Sequence, residues 1–201
     1  MNAPARPPGS LDAAAGRRIV SVWFPHLAIE RWHRAASRDG VPPAPETPVV
    51  LTRPGPHGPA IHAANGPARA RGIAPGARVV DVQAVHPDLL ALPGDPEGDV
   101  ALLGRLALWA RRWCPWTARE GAGPDGADPD GIVLDATGAA HLFGGEAAML
   151  ADIVHRFAAQ GLTARVAMAP TRAAARALAR HPAHGPGDVP AALRQEALDR
   201  A

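Results

Sequence analysis

The sequence of 201 residues contains no lysine and no tyrosine, only three serines and a single cysteine. One cysteine excludes an internal disulfide framework and a metal site built from several thiolates. No apolar run approaches the roughly 20 residues that a membrane helix needs. The N-terminal stretch MNAPARPPGSLDAAAGRR lacks the apolar segment of a secretory signal. These absences favour a protein of the reducing cytoplasm.

The 21 basic side chains are all arginines, and the chain also has 19 acidic side chains, which gives a formal net charge of +2. Arginine keeps its charge at physiological pH, and its forked guanidinium suits phosphate. So small a net charge permits nucleic-acid binding without requiring it. Hydrophobic residues make up 47% of the chain, enough for a sizeable core. The length predicts one domain, or one domain with a second small lobe.

Hydrophobic patterning predicts short apolar strands that alternate with helices. The predicted strands are 17–24, 48–52, 60–65, 89–92, 131–138 and 162–169, and the predicted helices are 26–38, 99–113, 146–160 and 172–180. The segment 119–131, rich in glycine and aspartate, is predicted to be a polar loop. This order predicts an α+β fold, with a mixed sheet backed by helices on one side and a small insertion in the first third.

Four aspartates lie within eleven positions: Asp125, Asp128, Asp130 and Asp135. Clustered carboxylates can hold a divalent metal, but this spacing is not that of a calcium loop. Asp-Gly pairs are also common in turns. The nine histidines are scattered, without the helical ligand spacing of a zinc site. A metal site and an ordinary turn both stay open for the aspartates.

Arginines recur at every fourth position of the last strong helix: Arg172, Arg176 and Arg180. Such a stripe is either a solvated helix face or a surface that binds phosphate. Three tryptophans also lie close together in the sequence: Trp109, Trp113 and Trp116. They predict either a core cluster or an exposed patch that binds a partner. Cys114 lies between two of them in WCPW, an apolar setting that favours an inert thiol.

Four stretches in order resemble the Y-family DNA polymerases, the translesion group, and most closely their ImuB branch. The family's first palm strand and the start of its fingers are matched in this chain by RRIVSVWFPHLAIERW. The fingers motif A-N-Y-x-A-R falls within AIHAANGPARARGIAPGARVVDVQAVHPDLLALPG. The central palm hairpin, D-E-x-x-x-D in active members, resembles PDGIVLDATGAAHLFGG. The strand and helix that end the palm, with A-x-x-K-x-x-A-K, resemble ARVAMAPTRAAARALAR.

The resemblance implies an α+β Y-family palm, a mixed or antiparallel sheet backed by helices, with a small inserted fingers subdomain. It assigns residues 18–26 and 99–183 to the palm and residues 27–98 to the fingers. Residues 1–17 are then a flexible tail, and residues 184–201 are the start of a truncated thumb.

Departures from the family pattern fall on its catalytic positions. The first catalytic aspartate of the family corresponds to Trp23, and the second aspartate of that motif corresponds to Pro25. The aspartate–glutamate pair falls on Asp130 and Gly131, and the tyrosine beside the incoming nucleotide falls on Gly66. Two divalent cations need several carboxylates at fixed positions. With Asp130 as a lone remnant, the resemblance implies a pseudo-polymerase that has no metal and no other cofactor.

Three arginines match basic positions of the family. Arg69 stands where the family places an arginine that contacts the triphosphate. Arg172 and Arg176 stand at basic positions, and the second of these is a lysine that contacts the triphosphate in active members. These three residues are predicted to bind the phosphates of nucleotide or DNA, with weak affinity for DNA.

The resemblance implies a non-catalytic organiser of translesion synthesis and mutagenesis in the damage-induced SOS response, located in the cytoplasm at the nucleoid. The implied partners are an error-prone C-family DNA polymerase subunit, the RecA-like ImuA accessory protein and the sliding clamp, the last through a C-terminal part. No membrane partner is expected. Two alternatives stay open. One is an active nucleotidyltransferase that holds Mg²⁺ with Asp128, Asp130 and Asp135, and the other is a simple DNA-binding module that uses the three arginines.

Overall fold

The computed structural model describes residues 16–40, 42–121 and 129–181. Within these residues, strands and helices alternate along the chain. In order they are β1 (Ile19–Trp23), α1 (Leu27–Asp39), β2 (Val49–Arg53), β3 (Ala60–Ala64), α2 (Gly66–Ala70), α3 (Val79–Val85), β4 (Leu90–Pro93), α4 (Pro96–Trp109), β5 (Thr117–Glu120), β6 (Gly131–Asp135), α5 (Glu146–Ala158), β7 (Arg165–Ala169) and α6 (Arg172–Arg180). Short 3₁₀ turns follow α4 at Ala110–Arg112 and precede α5 at Ala140–Phe143.

The larger sheet has four strands in the order β5-β6-β1-β7, and each neighbouring pair is antiparallel. Strand β1 is central and alternates its side chains between the two faces. Val20 and Val22 point to one face and pack in a core cluster with Leu103 of α4 and Met149 of α5. This sheet and helices α4 and α5 match the predicted palm architecture.

Helix α6 lies on the opposite face of the same sheet. Ile19 of β1 packs there with Ala169 of β7 and Ala175 of α6. The prediction that helices cover one side only is therefore wrong in this respect. The physical reason is the run of small residues in α6, since Ala175 and Ala179 are 0% and 2% exposed and let the helix approach the sheet closely.

Aromatic side chains fill the core between the sheet and α5. Phe157 is fully buried, and its ring lies 4.9 Å from Phe24 and 5.2 Å from Trp109 between centroids. Trp113 is also buried and donates a hydrogen bond from Nε1 to Asp152 at 2.7 Å. Trp116, by contrast, is 74% exposed. The three tryptophans thus combine both predicted environments, because the chain turns out of the core after Trp113.

A second sheet of three strands has the order β3-β2-β4, with β2–β3 antiparallel and β2–β4 parallel. Its own core cluster includes Val50, Ile61, Ala68 and Leu89. Asn65 fixes the start of α2 because its side chain accepts hydrogen bonds from the backbone N–H groups of Ala68 and Val49, each at 3.0 Å. This cap sets the direction of the short helix that carries Arg69.

A partly buried ionic network joins α1, β3 and α4. Asp99 of α4 is 6% exposed and accepts from Arg31 Nε of α1 at 2.6 Å. His62 Nε2 of β3 lies 2.9 Å from the other carboxylate oxygen of Asp99. Arg31 also reaches Asp95, the N-cap of α4, at 3.0 Å. The network holds α1 and β3 against the start of α4 and thereby fixes the cleft between the sheets.

None of the helices in the described ranges is long and apolar enough to cross a membrane.

Candidate functional site

Trp23 and Gly131 are direct neighbours in the larger sheet. Their Cα atoms are register partners of β1 and β6, and the backbone N–H of Phe24 donates to the carbonyl of Asp130 at 3.0 Å. The structure thus brings together Trp23, Asp130 and Gly131, three of the positions that the sequence resemblance assigned to catalytic carboxylates. Two of the three carry no carboxylate.

The carboxylate of Asp130 is already paired with a cation of the protein itself. Arg180 Nη2, at the end of α6, donates to Asp130 Oδ1 at 2.5 Å. Arg180 Nη1 donates to Glu120 Oε2 at 3.1 Å, and the hydroxyl of Ser21 donates to the same oxygen. Glu120 and Ser21 are both 0% exposed. Asp130 is therefore the outer end of a buried ion-pair network and not an isolated remnant.

Position 131 has no room for a side chain in this backbone. A Cβ atom built there would lie 2.5 Å from the carbonyl oxygen of Val22 and 3.3 Å from Arg180 Nη2. Contacts below 3 Å to a backbone atom of the central strand require that strand to move. A glutamate, the residue of the family pattern, does not fit at Gly131 without such a shift.

The residues at this edge of the sheet do not fit the pair of divalent ions that the family chemistry uses. Such ions need several carboxylates aimed at one point. Here Trp23 projects an indole, Gly131 has no side chain, and Asp130 faces a guanidinium. Among residues 16–40, 42–121 and 129–181, no group of three or more His, Cys, Asp or Glu side chains is placed to hold a metal ion.

The other predicted aspartates do not join Asp130. Asp135 lies at the far end of β6, roughly 17 Å from Asp130 along the chain at about 3.3 Å per residue. There it accepts from the backbone N–H of Thr137 at 3.2 Å and lies 3.6 Å from Arg17. Hydrogen bonds from Thr137 lower the pKa of Asp135, with a smaller contribution from the charge of Arg17. Asp125 and Asp128 lie outside the described residues.

A cleft of about 340 Å³ separates the two sheets next to Trp23, and Asp130, Arg165, His26 and Arg69 also line it. Arg69 Nη1 lies 2.7 Å from His26 Nε2. Burial, followed by the nearby charge of Arg69, lowers the pKa of His26. A neutral imidazole beside a guanidinium leaves the positive charge of Arg69 available to an anion.

The two other predicted phosphate ligands lie on α6 and not in this cleft. Arg172 is 57% exposed, and its Nε lies 3.6 Å from Glu120 Oε1. Arg176, one turn later, is half-buried. The third member of the predicted stripe, Arg180, has a side chain that is only 9% exposed. Only part of the stripe is therefore exposed to solvent, because the side chain of its last arginine, Arg180, turns into the sheet.

Sequence reasoning missed Glu120 as a member of the site. The prediction placed it in the polar loop 119–131, but it ends β5, a strand that pairs with β6. The sequence TARE carries no hydrophobic alternation that would have marked a strand. Arg165 was also missed. It pairs in register with Trp23, and its guanidinium carbon lies 5.5 Å from the centre of the indole ring.

Solved structures of DNA polymerases share this fold. An insertion ternary complex of Dbh DNA polymerase matches 83% of this chain and 46% of its own, with a TM-score of 0.64 and 16% identity. DinB from Sulfolobus solfataricus covers the same shares with a TM-score of 0.63 and 18% identity. These likenesses confirm the predicted α+β palm and fingers fold.

The family follows from the sequence match. The model of the impB/mucB/samB family covers residues 42–180, and the chain belongs to this family of Y-family polymerases. Protein ImuB of Caulobacter vibrioides, from strain NA1000 / CB15N, is 46% identical over 109 residues, which are 54% of this chain and 22% of that protein. The same protein from strain ATCC 19089 gives the same figures. The match therefore spans about a fifth of the length of these relatives, and it confirms the resemblance to the ImuB branch.

Proposed function

We propose that this chain forms the palm and fingers of a non-catalytic Y-family homologue that acts as an organiser in DNA-damage tolerance. The observation that carries the proposal is the pairing of Trp23 with Gly131 at the catalytic edge of the sheet, with Asp130 engaged by Arg180. Phosphoryl transfer by two metal ions depends on carboxylates that neutralise and position both ions. One carboxylate that a guanidinium already compensates cannot do this, so no metal or other cofactor is expected.

A protein without catalysis can act in translesion synthesis by bringing other proteins to the lesion. The similarity to ImuB supports this role. The expected partners are an error-prone C-family polymerase subunit, the RecA-like ImuA accessory protein and the sliding clamp, at the nucleoid. Affinity capture with the full-length protein as bait, after induction of DNA damage, tests these partners. Recovery of none of the three would contradict the organiser role.

Weak binding of DNA phosphates is the second part of the proposal. Exposed Arg172, half-buried Arg176 and the cleft residue Arg69 offer permanent positive charge. Each phosphate contact contributes about −0.9 to the slope of log affinity against log salt concentration. The double variant Arg172→Glu, Arg176→Glu should weaken binding and flatten this slope. Arg156→Glu on α5 is the matched control, since Arg156 pairs with Asp152 at 2.8 Å. Equal affinities for the double variant and the control would contradict this part.

Single-nucleotide extension of a primer–template tests the absence of catalysis. The protein is assayed with Mg²⁺ and then with Mn²⁺, beside Asp130→Asn and Asp88→Asn. Asp88 is the control because it pairs with Arg71 at the surface, 2.7 Å away, and is not among the candidate metal ligands. We expect no extension by any of the three. Extension by the wild type that Asp130→Asn abolishes and Asp88→Asn preserves would establish the alternative, an active nucleotidyltransferase.

A further inference from the structure

The face of the larger sheet that α6 covers contains a buried carboxylate and a buried guanidinium. The side chain of Glu120 is 0% exposed and that of Arg180 is 9% exposed. Burying either charge alone would be strongly unfavourable, so each depends on the other. Asp130, which is 39% exposed, completes the set at the edge that faces the cleft.

One guanidinium serves both carboxylates. Nη1 of Arg180 lies 3.1 Å from Glu120 Oε2 and 3.4 Å from the hydroxyl oxygen of Ser21, and Nη2 lies 2.5 Å from Asp130 Oδ1. The guanidinium thereby bridges the end of β5 to the residue that precedes β6. The second oxygen of Glu120, Oε1, is buried and accepts no hydrogen bond, and Arg172 Nε lies 3.6 Å from it.

Two of the substituted family positions, Trp23 and Gly131, admit this guanidinium. A Cβ atom at Gly131 would lie 3.3 Å from Arg180 Nη2, so any side chain there would crowd the bridge. The indole of Trp23 lies beside it, with its ring centre 5.9 Å from the guanidinium carbon of Arg180, within the range of a cation–π contact. Trp23 and Gly131 therefore accommodate a cation that is part of the chain.

We infer that Arg180 is a tethered cation that takes the place of a divalent ion at this sheet, where it joins Glu120 and Asp130 with a single covalently attached positive charge. Two carboxylates and the hydroxyl of Ser21 are hard oxygen ligands, the type that Mg²⁺ and Mn²⁺ prefer. Removal of the guanidinium alone should therefore expose a site for a divalent cation. This inference concerns charge and stability, and it holds or fails independently of polymerase activity.

Thermal unfolding with Mn²⁺ or with EDTA tests the inference. The Tm of the wild-type protein should be the same with Mn²⁺ as with EDTA. Arg180→Met should lower Tm in EDTA by roughly 10 °C, because one partner of a buried ion pair is lost. Mn²⁺ should then restore most of that loss, since a ligand that binds only the folded state raises its stability. The double variant Arg180→Met, Glu120→Gln removes both charges and should not respond to Mn²⁺. Arg156→Met, which breaks the surface pair with Asp152, is the control for loss of an arginine and should not respond either.

Three results would overturn the inference. The first is a folded Arg180→Met protein whose Tm is unaffected by Mn²⁺. The second is a wild-type protein that Mn²⁺ stabilises as much as the variant. If Arg180→Met does not fold in EDTA, the yield of refolding replaces Tm as the measurement. The third result is then a refolding yield that Mn²⁺ does not raise more for Arg180→Met than for the double variant.

Discussion

Substitution of Gly131 by alanine probes the space at the edge of the sheet most simply. The new Cβ would lie 2.5 Å from the carbonyl oxygen of Val22. Carbon–oxygen contacts between strands are ordinarily about 3.3 Å or longer, so the overlap is about 0.8 Å with a backbone atom of the central strand. Overpacking of this kind costs about 1–3 kcal/mol. For a chain of this length we expect Tm to fall by roughly 2–12 °C, as followed by circular dichroism.

Gly104→Ala is the matched control, because a Cβ atom at this position in α4 meets nothing within 4 Å. Alanine in the interior of a helix is more favourable than glycine by about 0.5–1 kcal/mol. The two variants add the same methyl group, and we expect them to shift Tm in opposite directions. A Gly131→Ala protein as stable as the wild type would show that the strand yields easily. It would refute the argument that a glutamate cannot be accommodated there.

Three further predictions concern buried groups. Phe157→Ala should lower the free energy of unfolding by about 3–5 kcal/mol in urea titration, because Phe157 is fully buried; a loss below 1 kcal/mol would contradict the core packing. Burial raises the pKa of the Cys114 thiol, so iodoacetamide at pH 8 should label it far more slowly in the folded than in the urea-unfolded protein, and equal rates would contradict that burial. Asp99→Asn should speed proteolytic cleavage of the chain between the two sheets, because Arg31 and His62 lose the carboxylate that they share. An unchanged cleavage pattern would show that this network does not hold the cleft.

Strands β1, β6 and β7 of the palm could be predicted from sequence because they are largely apolar, whereas β5 was missed. In the segment IVSVW, the residues on one face meet α4 and α5, and Ile19 on the other face meets α6. Hydrophobic patterning detects such strands without knowledge of their neighbours. The same patterning could not show that α6 covers the second face, because its buried residues are alanines, which occur throughout this alanine-rich chain.

The charged network could not be predicted, since its members are far apart in the sequence. Glu120 and Arg180 are separated by 60 positions and meet only because β5 joins the sheet beneath α6. The local sequence around Glu120 indicates a loop, and the helical spacing does not distinguish Arg180 from Arg172 and Arg176. Burial of one arginine among three equivalent ones depends on tertiary structure alone. The substitutions at Trp23 and Gly131, by contrast, could be located by motif spacing, and the register of β1 and β6 confirms that these two positions are adjacent.

Mn²⁺ binding in the presence of primer–template DNA and a nucleoside triphosphate tests the central claim most directly. Electron paramagnetic resonance reports free Mn²⁺, and a matched sample without protein corrects for the ions that DNA and nucleotide take up. The account predicts that wild-type protein removes no further Mn²⁺ from solution, because Trp23, Asp130 and Gly131 together offer one carboxylate, which Arg180 already compensates. Uptake of two Mn²⁺ ions per chain that Asp130→Asn abolishes would contradict it.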